Sequence, residues 1–403
     1  MEMKTIIEYL KSSPIFNLSL TSKELFHSNF IAWLAREYPN IIGNIFAKHI
    51  GLPETYTIKP ETIKREENHI DLMFDIIDVQ DAEAIYHIII ENKVKSLPDI
   101  NQLSEYSKKT KDKERTKFIL LSLSTPFHLL TNENDKIIDK NKTEWHYISY
   151  DCLANDLESS KSSFIYKSVD KVDSGLDALY HKMIIADYLN FIKLLSEINK
   201  KTKIENKNEI YNWYNDEVFK ALKNPQIRMS DFYIKKKCEY MINMIFEEVK
   251  KMNIGNVDSM SISSSIVHST DGEFRFYYYF NERTYVSIEI SRMYYRKLVY
   301  VSNEKKEGKT VHNYKTVFDS GNDVVQFFNE LNWFNFDKIP DSKKDITYNK
   351  SKRYKKFNSF GNAKYFQCRL NDNNTVNEII NYFKEDLAFI VSKSDLINQK
   401  FTI

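Results

Sequence analysis

Residues 68–95, NHIDLMFDIIDVQDAEAIYHIIIENKVK, constrain the fold more than any other stretch of this chain. Residues 69–79 are rich in Ile, Leu, Met and Phe, and residues 84–90 are almost continuously apolar, as expected for strands that are buried on both faces of a sheet. Residues 80–83, QDAE, are polar and few enough to connect the two strands of a hairpin. The pattern therefore predicts two adjacent antiparallel strands inside a sheet.

The register of this hairpin brings charged side chains together. A turn centred on Asp81 pairs residues at equal distances on either side, so we expect Asp71 to face Glu91. Side chains alternate along a strand, so Lys93 projects on the same side as Glu91. Buried charges are costly unless they are paired or bind a metal. Two carboxylates can hold one or two Mg²⁺ ions, and a lysine can orient or activate a water that attacks a phosphodiester.

The arrangement of Asp71, then Glu91-Asn92-Lys93 on the next strand, resembles the motif of the PD-(D/E)XK nuclease superfamily, which has the restriction-endonuclease-like fold. The tripeptide Glu-x-Lys has little specificity by itself, since it begins at five other positions: Glu2, Glu205, Glu248, Glu304 and Glu307. None of these ends a long apolar strand that faces a preceding aspartate. The resemblance implies that Asp71, Glu91 and the backbone carbonyl of Asn92 bind Mg²⁺ or Mn²⁺, while Lys93 positions the attacking water.

A second part of the resemblance lies near the N-terminus. Residues 24–28, ELFHS, precede IAWL at 31–34, and a subset of the superfamily opens with a helix of this form. In that subset the helix glutamate points at the metal site, so the resemblance implies that Glu24 is a third acidic ligand or holds the water. The alternatives are a Glu24 that only stabilises the helix N-terminus and a half-buried structural role for His27.

A third part of the resemblance follows the hairpin. A helix is predicted over residues 99–113, and it contains Gln102 and Tyr106 in the spacing Gln-x-x-x-Tyr. The resemblance implies that Gln102 faces the active site and helps to hold a water or a phosphate, the alternative being an ordinary exposed glutamine. Basic residues in and after this helix could form a solvated face or contact a phosphate backbone: Lys108, Lys109, Lys111, Lys113 and Arg115.

The order of predicted elements also fits that superfamily. A first strand over residues 54–64 leads into the hairpin, and a strand over 117–123 follows the helix. Because a helix separates this strand from the hairpin, we expect it to run parallel to a hairpin strand. A further strand is expected over 145–149. We therefore predict an α/β fold with a restriction-endonuclease-like core of helix, three strands, helix and strand.

The second half of the chain predicts an added α+β domain. The polar stretch 200–208, KKTKIENKN, places the boundary between a nuclease-like domain at 1–200 and a C-terminal domain at 201–403. A helix over 209–251, antiparallel strands over 274–290 and 293–302, and a helix over 376–393 are expected. This half resembles no family. Residues 352–356, KRYKK, could bind nucleic acid; a basic surface loop or a protein-binding role are the alternatives.

Composition excludes several classes of protein. The net charge of +2 is close to neutral, so any nucleic-acid surface must be a local patch. Three widely separated cysteines predict neither a disulfide framework nor a zinc site, and they suit a reducing cytoplasm. The first 14 residues carry Glu and Lys within a short apolar pattern, unlike a signal peptide. No stretch is long enough to span a membrane, and homo-oligomerisation is left open.

Together these features predict an enzyme, a Mg²⁺- or Mn²⁺-dependent nuclease whose partner is nucleic acid, with DNA favoured over RNA and endonuclease over exonuclease activity. The resemblance, and no residue by itself, implies a role in phage defence or phage DNA metabolism. The alternative is a catalytically inactive module of the same fold that binds nucleic acid or a protein. The intact set of Asp71, Glu91 and Lys93 argues against that loss.

Overall fold

The computed structural model of this protein describes most of the chain. The described residues are 1–19, 23–81, 85–94, 96, 98–126, 129–130, 136–160, 164, 175–252, 260–267, 271–280, 284–301, 303–306, 309–312, 321–347, 358–360 and 363–401. The chain forms two compact units. The first comprises Met1–Thr202 and Ala221–Phe232, and the second comprises Lys203–Lys220 and Tyr233–Ile403. The domain boundary proposed from the sequence stays a prediction. Within the described residues, no helix is long and apolar enough to cross a lipid bilayer.

Four helices precede the first sheet. They are α1 (Met3–Ser12), α2 (Pro14–Ser19), α3 (Lys23–Glu37) and α4 (Pro39–His49). Proline occupies the first position of both α2 and α4. Its fixed φ suits a helix start, and the N–H that it lacks would have no partner there.

The first sheet is mixed. Its strands are β1 (Tyr56–Ile58), β2 (Lys64–Glu67), β3 (Ile70–Asp78), β4 (Ile85–Lys93), β5 (Thr116–Ser122), β6 (Lys136–Ile138) and β7 (Glu144–Ser149). Their order is β1-β3-β4-β5-β7-β6, and β2 also pairs with β3. The β4–β5 and β5–β7 pairs are parallel and the others are antiparallel. The helices that follow are α5 (Ile100–Lys109), α6 (Tyr150–Ser159) and α7 (Gly175–Lys201).

The hairpin of β3 and β4 has the register predicted from the sequence. Leu72 lies opposite Ile90 and Met73 lies opposite Ile89. One step further along the same register, Asp71 corresponds to Glu91. The parallel pairing of β5 with β4 also confirms the expectation for strands that a helix separates.

Strand β4 is buried on both faces, which explains why its sequence is apolar without alternation. On one face Ile89 packs in a cluster with Tyr106 of α5 and Phe118 of β5. Side chains alternate along the strand, so Glu91 belongs to this face and Asn92 to the opposite one. Helix α3 lies on the opposite face, where its backbone accepts a hydrogen bond from the side chain of Asn92.

The prediction of one strand over residues 54–64 is wrong. Strands β1 and β2 flank a 3-10 turn at Pro60–Thr62, because Pro60 has no N–H to donate to a strand ladder. Asn68 and His69 then form the turn from β2 into β3 with φ values of 57° and 68°. Two residues of positive φ give the tight connection that matches the twist of a hairpin.

The rest of the chain is α+β. Its helices are α8 (Glu217–Leu222), α9 (Ser230–Lys251), α10 (Gly321–Glu330), α11 (Val376–Ser392) and α12 (Ser394–Phe401). Its strands are β8 (Met260–Val267), β9 (Asp271–Tyr279), β10 (Thr284–Ser291), β11 (Tyr294–Val301), β12 (Asn303–Lys306), β13 (Lys309–His312), β14 (Asn358–Phe360) and β15 (Ala363–Arg369). An antiparallel sheet has the order β14-β15-β11-β10-β9-β8, and β12 pairs with β13. A mixed sheet and a second, antiparallel sheet confirm the predicted α/β class.

The core of the antiparallel sheet forms against α11. The rings of Phe274 and Tyr295 lie 5.5 Å and 5.3 Å from the ring of Phe383 on that helix. Beside them, Lys297 and Asp386 form a buried ion pair of 2.7 Å. Removal of either partner would leave a buried charge of this unit without its counter-ion.

The prediction of a continuous helix over residues 209–251 is also wrong. Helices α8 and α9 cover only part of this range, and Ile210 pairs in a β-bridge with Thr375 instead. Pro225 lies between the two helices, where its missing N–H and its ring disfavour continuation of a helix. The proline therefore divides the predicted helix, and the residues before α8 take other conformations.

Candidate active site

Glu91 and Lys93 lie at the end of β4 with their charged groups together. Lys93 Nζ is 2.7 Å from Glu91 Oε1. The exposed fractions are only 1% for Glu91 and 8% for Lys93. The structure thus brings together the Glu-x-Lys pair that was predicted from the sequence, in a place that is largely shielded from water.

Asp71 joins this pair from the neighbouring strand. The backbone N–H of Asn92 donates a 2.7 Å hydrogen bond to Asp71 Oδ2, so the strand that carries Glu91 also orients the Asp71 carboxylate. Asp71 is close enough to Glu91 for its charge to raise the pKa of Glu91. The predicted convergence of two carboxylates and an ammonium group is present.

Burial and mutual repulsion perturb the acidic pair. Burial raises the pKa of Glu91 to about 7, and the charge of Asp71 adds to this rise while Lys93 opposes it. Burial also raises the pKa of Asp71 to about 6, against the hydrogen bond from the Asn92 N–H and the charge of Lys93. Burial by itself would lower the pKa of Lys93, but attraction to Glu91 raises it above its ordinary value. Two neighbouring carboxylates with raised pKa values are typical of a functional site.

One oxygen of this cluster is suited to a metal ion. Glu91 Oε2 is buried, and no hydrogen-bond donor among the described residues reaches it. Buried carboxylate oxygens are normally hydrogen-bonded or bound to a metal. Hard oxygen ligands of this kind are those that Mg²⁺ prefers, and Mg²⁺ usually keeps several waters beside one or two carboxylates. The residues present therefore fit a divalent cation.

A complete cage of protein ligands is absent from this part of the structure. Among the described residues, no three His, Cys, Asp or Glu side chains are grouped as a site for a metal ion. Asp71 and Glu91 would therefore need a backbone carbonyl and water to complete the coordination. Asn92, which lies between Glu91 and Lys93, carries the carbonyl that the sequence predicts for this purpose.

Glu24 reaches the same region from α3 by another route. Its Oε1 accepts hydrogen bonds from the backbone N–H groups of Val94, at 3.3 Å, and Ser96, at 3.0 Å. The Ser96 hydroxyl donates to the same oxygen at 2.5 Å. Glu24 therefore holds the segment that follows Lys93, and its charge also acts on Glu91 and Lys93. Its predicted role as a metal ligand or water holder stays a prediction.

Gln102 lies on α5 and its amide is directed to Tyr106. Gln102 Nε2 donates to Tyr106 Oη at 2.7 Å, and Tyr106 Oη donates to the carbonyl of His69 at 2.8 Å. The charges of Glu91, Lys93 and Asp71 influence the pKa of Tyr106, which burial raises first of all. Gln102 is thus linked to the edge of the site through Tyr106, and its contact with a water or phosphate stays a prediction.

His27, in contrast, is part of the protein core. It is 1% exposed, its Nδ1 lies 3.1 Å from Tyr188 Oη, and its ring stacks on Phe191 at 5.2 Å. Burial lowers the pKa of His27 to about 3, so the ring is neutral at physiological pH. The structure therefore supports a structural role for His27, which was one of the alternatives from the sequence. The residue is fully buried rather than half-buried.

Two side-chain contacts of this region were missed by sequence reasoning, which assigned a role only to the backbone carbonyl of Asn92 and none to Ser96. The side chain of Asn92 is 1% exposed and accepts a 2.6 Å hydrogen bond from Tyr150 Oη. Ser96 makes the contact with Glu24 described above. Neither contact belongs to a sequence motif, because the partners come from distant parts of the chain. The only signal for Asn92 in the sequence is that it is a polar residue within an apolar strand.

The predicted basic surfaces divide into two cases. The basic residues in and after α5 are exposed, as either alternative requires: Lys108, Lys109, Lys111, Lys113 and Arg115. The KRYKK segment at 352–356 lies outside the described residues.

Acidic side chains and a lysine lie on adjacent strands of a mixed sheet, beside a buried carboxylate oxygen that no donor among the described residues reaches. Such a cluster has the chemistry that metal-assisted phosphodiester hydrolysis uses. The comparison with protein families agrees: residues 14–176 match the model described as the PD-(D/E)XK nuclease superfamily. This match confirms the resemblance drawn from the motifs and suggests nuclease activity. No curated protein and no solved structure matches the chain.

Proposed function

We propose that this protein is a nuclease that hydrolyses phosphodiester bonds of DNA with the help of a divalent cation, Mg²⁺ or Mn²⁺. The observation that carries the proposal is the buried oxygen Glu91 Oε2, which has no hydrogen-bond donor among the described residues and lies beside Asp71 and Lys93. Both carboxylates are largely buried, and the charge of Asp71 adds to the raised pKa of Glu91. Such a pair gains free energy by exchanging its protons for a cation.

Asp71, Glu91 and the backbone carbonyl of Asn92 would hold the cation. A divalent cation at such a site lowers the pKa of a bound water and stabilises charge on phosphate oxygens. Lys93 supplies a positive charge beside Glu91, where it keeps that carboxylate ionised and orients the attacking water. The Asn92 N–H holds the Asp71 carboxylate in place. The orientation of this metal ligand therefore does not depend on solvent-exposed side chains.

Glu24 and Gln102 complete the proposed machinery. Glu24 supports the attacking water or a second ion, and its hydrogen bonds with Val94 and Ser96 hold the chain just after Lys93. Gln102 assists in holding water or phosphate, and the hydrogen bond to Tyr106 limits where its amide can lie. These roles come from the resemblance, and the contacts are compatible with them.

We also propose that the first part of the chain has a restriction-endonuclease-like core. Helix α3, strands β2 to β4, helix α5 and strand β5 follow in the order expected of a restriction-endonuclease-like core. The resemblance extends the proposal to endonuclease action in phage defence or phage DNA metabolism. Residues 201–403 are proposed to form a separate domain that binds nucleic acid or a protein partner.

The test is a cleavage assay with supercoiled plasmid, linear duplex DNA, single-stranded DNA and RNA, each with Mg²⁺, Mn²⁺ or EDTA. We expect cleavage of DNA with either metal and none with EDTA, and nicking of the closed plasmid distinguishes an endonuclease from an exonuclease. Lys93→Ala should remove cleavage. Lys250→Ala is the matched control, because Lys250 is another lysine of a Glu-x-Lys tripeptide and lies outside the site.

The outcomes separate the alternatives. A Lys93→Ala variant that cuts at the wild-type rate would contradict the proposed site. Wild-type protein that binds DNA and Mn²⁺ but cuts none of the substrates would instead favour the catalytically inactive binding module.

A further inference from the structure

The side chain of Asn92 occupies the face of β4 opposite to the carboxylates. It is 1% exposed, and its amide uses both kinds of hydrogen-bonding group. Nδ2 donates to the backbone carbonyl of Glu24 at 3.0 Å and to Ser28 Oγ at 3.2 Å. Oδ1 accepts from Tyr150 Oη at 2.6 Å. One side chain thus joins α3, β4 and the first residue of α6.

The backbone of the same residue acts on the other face. The Asn92 N–H donates to Asp71 Oδ2 at 2.7 Å, and Asn92 lies between Glu91 and Lys93 in the chain. A shift of the Asn92 backbone would therefore move the Asp71 carboxylate together with both neighbouring side chains. In an interior of low polarity, a network in which all hydrogen bonds are made fixes the position of Asn92. Any shift would break a hydrogen bond and leave a buried polar group unpaired.

We propose that Asn92 is a positioning residue for the carboxylate pair, its side chain held in place by Tyr150 and by Glu24 and Ser28 of α3. The inference rests on the proposed function, and it assigns to Asn92 a task beyond the carbonyl that the motif predicts. These contacts fix the Asn92 side chain on the face of β4 opposite to the carboxylates. Asp71 and Glu91 thereby keep the spacing that a cation needs.

The chemistry of the contacts explains why asparagine suits this position. The Glu24 carbonyl oxygen can only accept hydrogen bonds, and Ser28 Oγ already donates to it at 3.3 Å. The side chain at position 92 must therefore present a donor to these two groups. Tyr150 Oη donates, so the other end must be an acceptor. An aspartate at 92 would place an oxygen against the Glu24 carbonyl. A leucine would leave the Tyr150 hydroxyl without its acceptor and would remove the amide donor from the Glu24 carbonyl and Ser28 Oγ.

The chain supplies a matched pair of variants for the test. Tyr150→Phe and Tyr188→Phe each remove one hydroxyl from a tyrosine that is 0% exposed. Tyr150 bonds Asn92, whereas Tyr188 bonds His27 on α3. Both variants lose one buried hydrogen bond next to the same helix, so a merely structural effect should be similar in the two.

The measurements are Mn²⁺ binding by electron paramagnetic resonance, hydrogen exchange of the peptide covering residues 85–94 without metal, and single-turnover cleavage. We expect Tyr150→Phe and Asn92→Leu to weaken Mn²⁺ binding about tenfold or more, as loss of partners behind metal ligands usually does. Hydrogen exchange should become faster in that peptide, and the cleavage rate should fall while the Kd for DNA stays constant. Tyr188→Phe should leave all four quantities near the wild-type values.

The inference is overturned if the two tyrosine variants change Mn²⁺ affinity equally, or if neither changes it. Should the wild type cleave no nucleic acid, the proposed function fails. The positioning role still stands in that case if Mn²⁺ binding and hydrogen exchange depend on Tyr150 and not on Tyr188.

Discussion

Lys93 Nζ and Glu91 Oε1 lie 2.7 Å apart at the end of a single strand, and both side chains are almost fully buried. The ammonium group occupies one carboxylate oxygen and leaves the other, Oε2, without a donor among the described residues. Lys93 therefore has two tasks in the proposed site: it keeps Glu91 ionised, and it acts on the water. The two tasks can be separated by experiment.

Lys93→Met removes the charge and keeps much of the side-chain volume. Without the attraction of Lys93, the pKa of Glu91 should rise further above its present value of about 7. We expect Mg²⁺ binding at pH 7 to weaken about tenfold for each unit of that rise and to recover at pH 9. Cleavage should recover at neither pH. Calorimetric titration with Mg²⁺ at both pH values checks this, and equal affinities for variant and wild type at pH 7 would contradict it.

Metal binding should stabilise the protein in a pH-dependent way. Asp71, with a pKa of about 6, and Glu91, with a pKa of about 7, must lose their protons to bind a cation. At a hundred times its Kd, Mg²⁺ should raise the free energy of unfolding by about 2.7 kcal/mol at pH 8, and the gain should vanish near pH 5. Thermal unfolding in Mg²⁺ and in EDTA measures it. An equal rise in Tm at both pH values would count against a site made of these carboxylates.

Asp71→Asn tests the cost of the buried charge without metal. The pKa of Asp71 in the folded protein, about 6, lies above the value of 3.8 for an unburied aspartate. Protonation therefore stabilises the fold, fully below about pH 4, and this contribution is lost as the pH rises through 6. We expect Asp71→Asn to match the wild type near pH 4 and to exceed its free energy of unfolding by on the order of 1 kcal/mol at pH 8.

Urea denaturation in EDTA is the measurement for this variant. Adding Mg²⁺ at pH 8 should reverse the order, since the wild type gains a ligand that the variant binds poorly. A less stable Asp71→Asn protein at pH 8 in EDTA would show that the carboxylate stabilises the fold rather than straining it.

Glu24→Gln and Glu24→Ala separate the charge of this residue from its hydrogen bonds. The amide oxygen of glutamine can still accept from Val94 and Ser96, whereas alanine leaves these donors without their partner. We expect Glu24→Gln to weaken Mn²⁺ binding about tenfold with little change in stability. Glu24→Ala should in addition lower the free energy of unfolding by about 1–3 kcal/mol. Metal titration and urea denaturation check both, and wild-type Mn²⁺ affinity in Glu24→Gln would exclude a role for the charge.

Asp386→Ala tests whether the second unit is a separate domain. Asp386 accepts hydrogen bonds from Lys297 at 2.7 Å and Tyr295 at 2.9 Å, and the variant leaves Lys297 buried without its partner. The cost should be about 3–5 kcal/mol. In hydrogen exchange under increasing urea, peptides of the second unit should unfold earlier while those around Glu91 are unchanged. The exposed Asp395→Ala serves as control, and simultaneous unfolding of both regions would show a single cooperative unit.

Much of the site could be predicted from local sequence because a hairpin is a local structure. The apolar runs and the short polar connection fix the pairing of β3 with β4, and alternation then assigns each side chain to a face. For this reason the proximity of Asp71, Glu91 and Lys93 can be deduced from their distances along the sequence to the turn of the hairpin. The prediction of one strand over residues 54–64 fails at Pro60, which has no N–H for a strand ladder and begins a 3-10 turn between β1 and β2.

Contacts between distant segments were beyond the reach of this reasoning. Tyr150 is 58 residues from Asn92 in the chain, and Glu24 is 72 residues from Ser96. No spacing rule relates such residues, because helix packing on the two sides of β4 decides which of them meet. The burial of His27 likewise depends on α7, whose Phe191 covers its ring.

The sequence by itself determined which strands pair, in which register, and which charged side chains share a face, since these depend on the two-residue repeat of a strand. Only the tertiary structure decided that Glu91 has a buried oxygen without a donor and that Asn92 is held from behind the strand. The physical reason is that burial and long-range hydrogen bonds are properties of packed layers, which exist only after distant segments have come together.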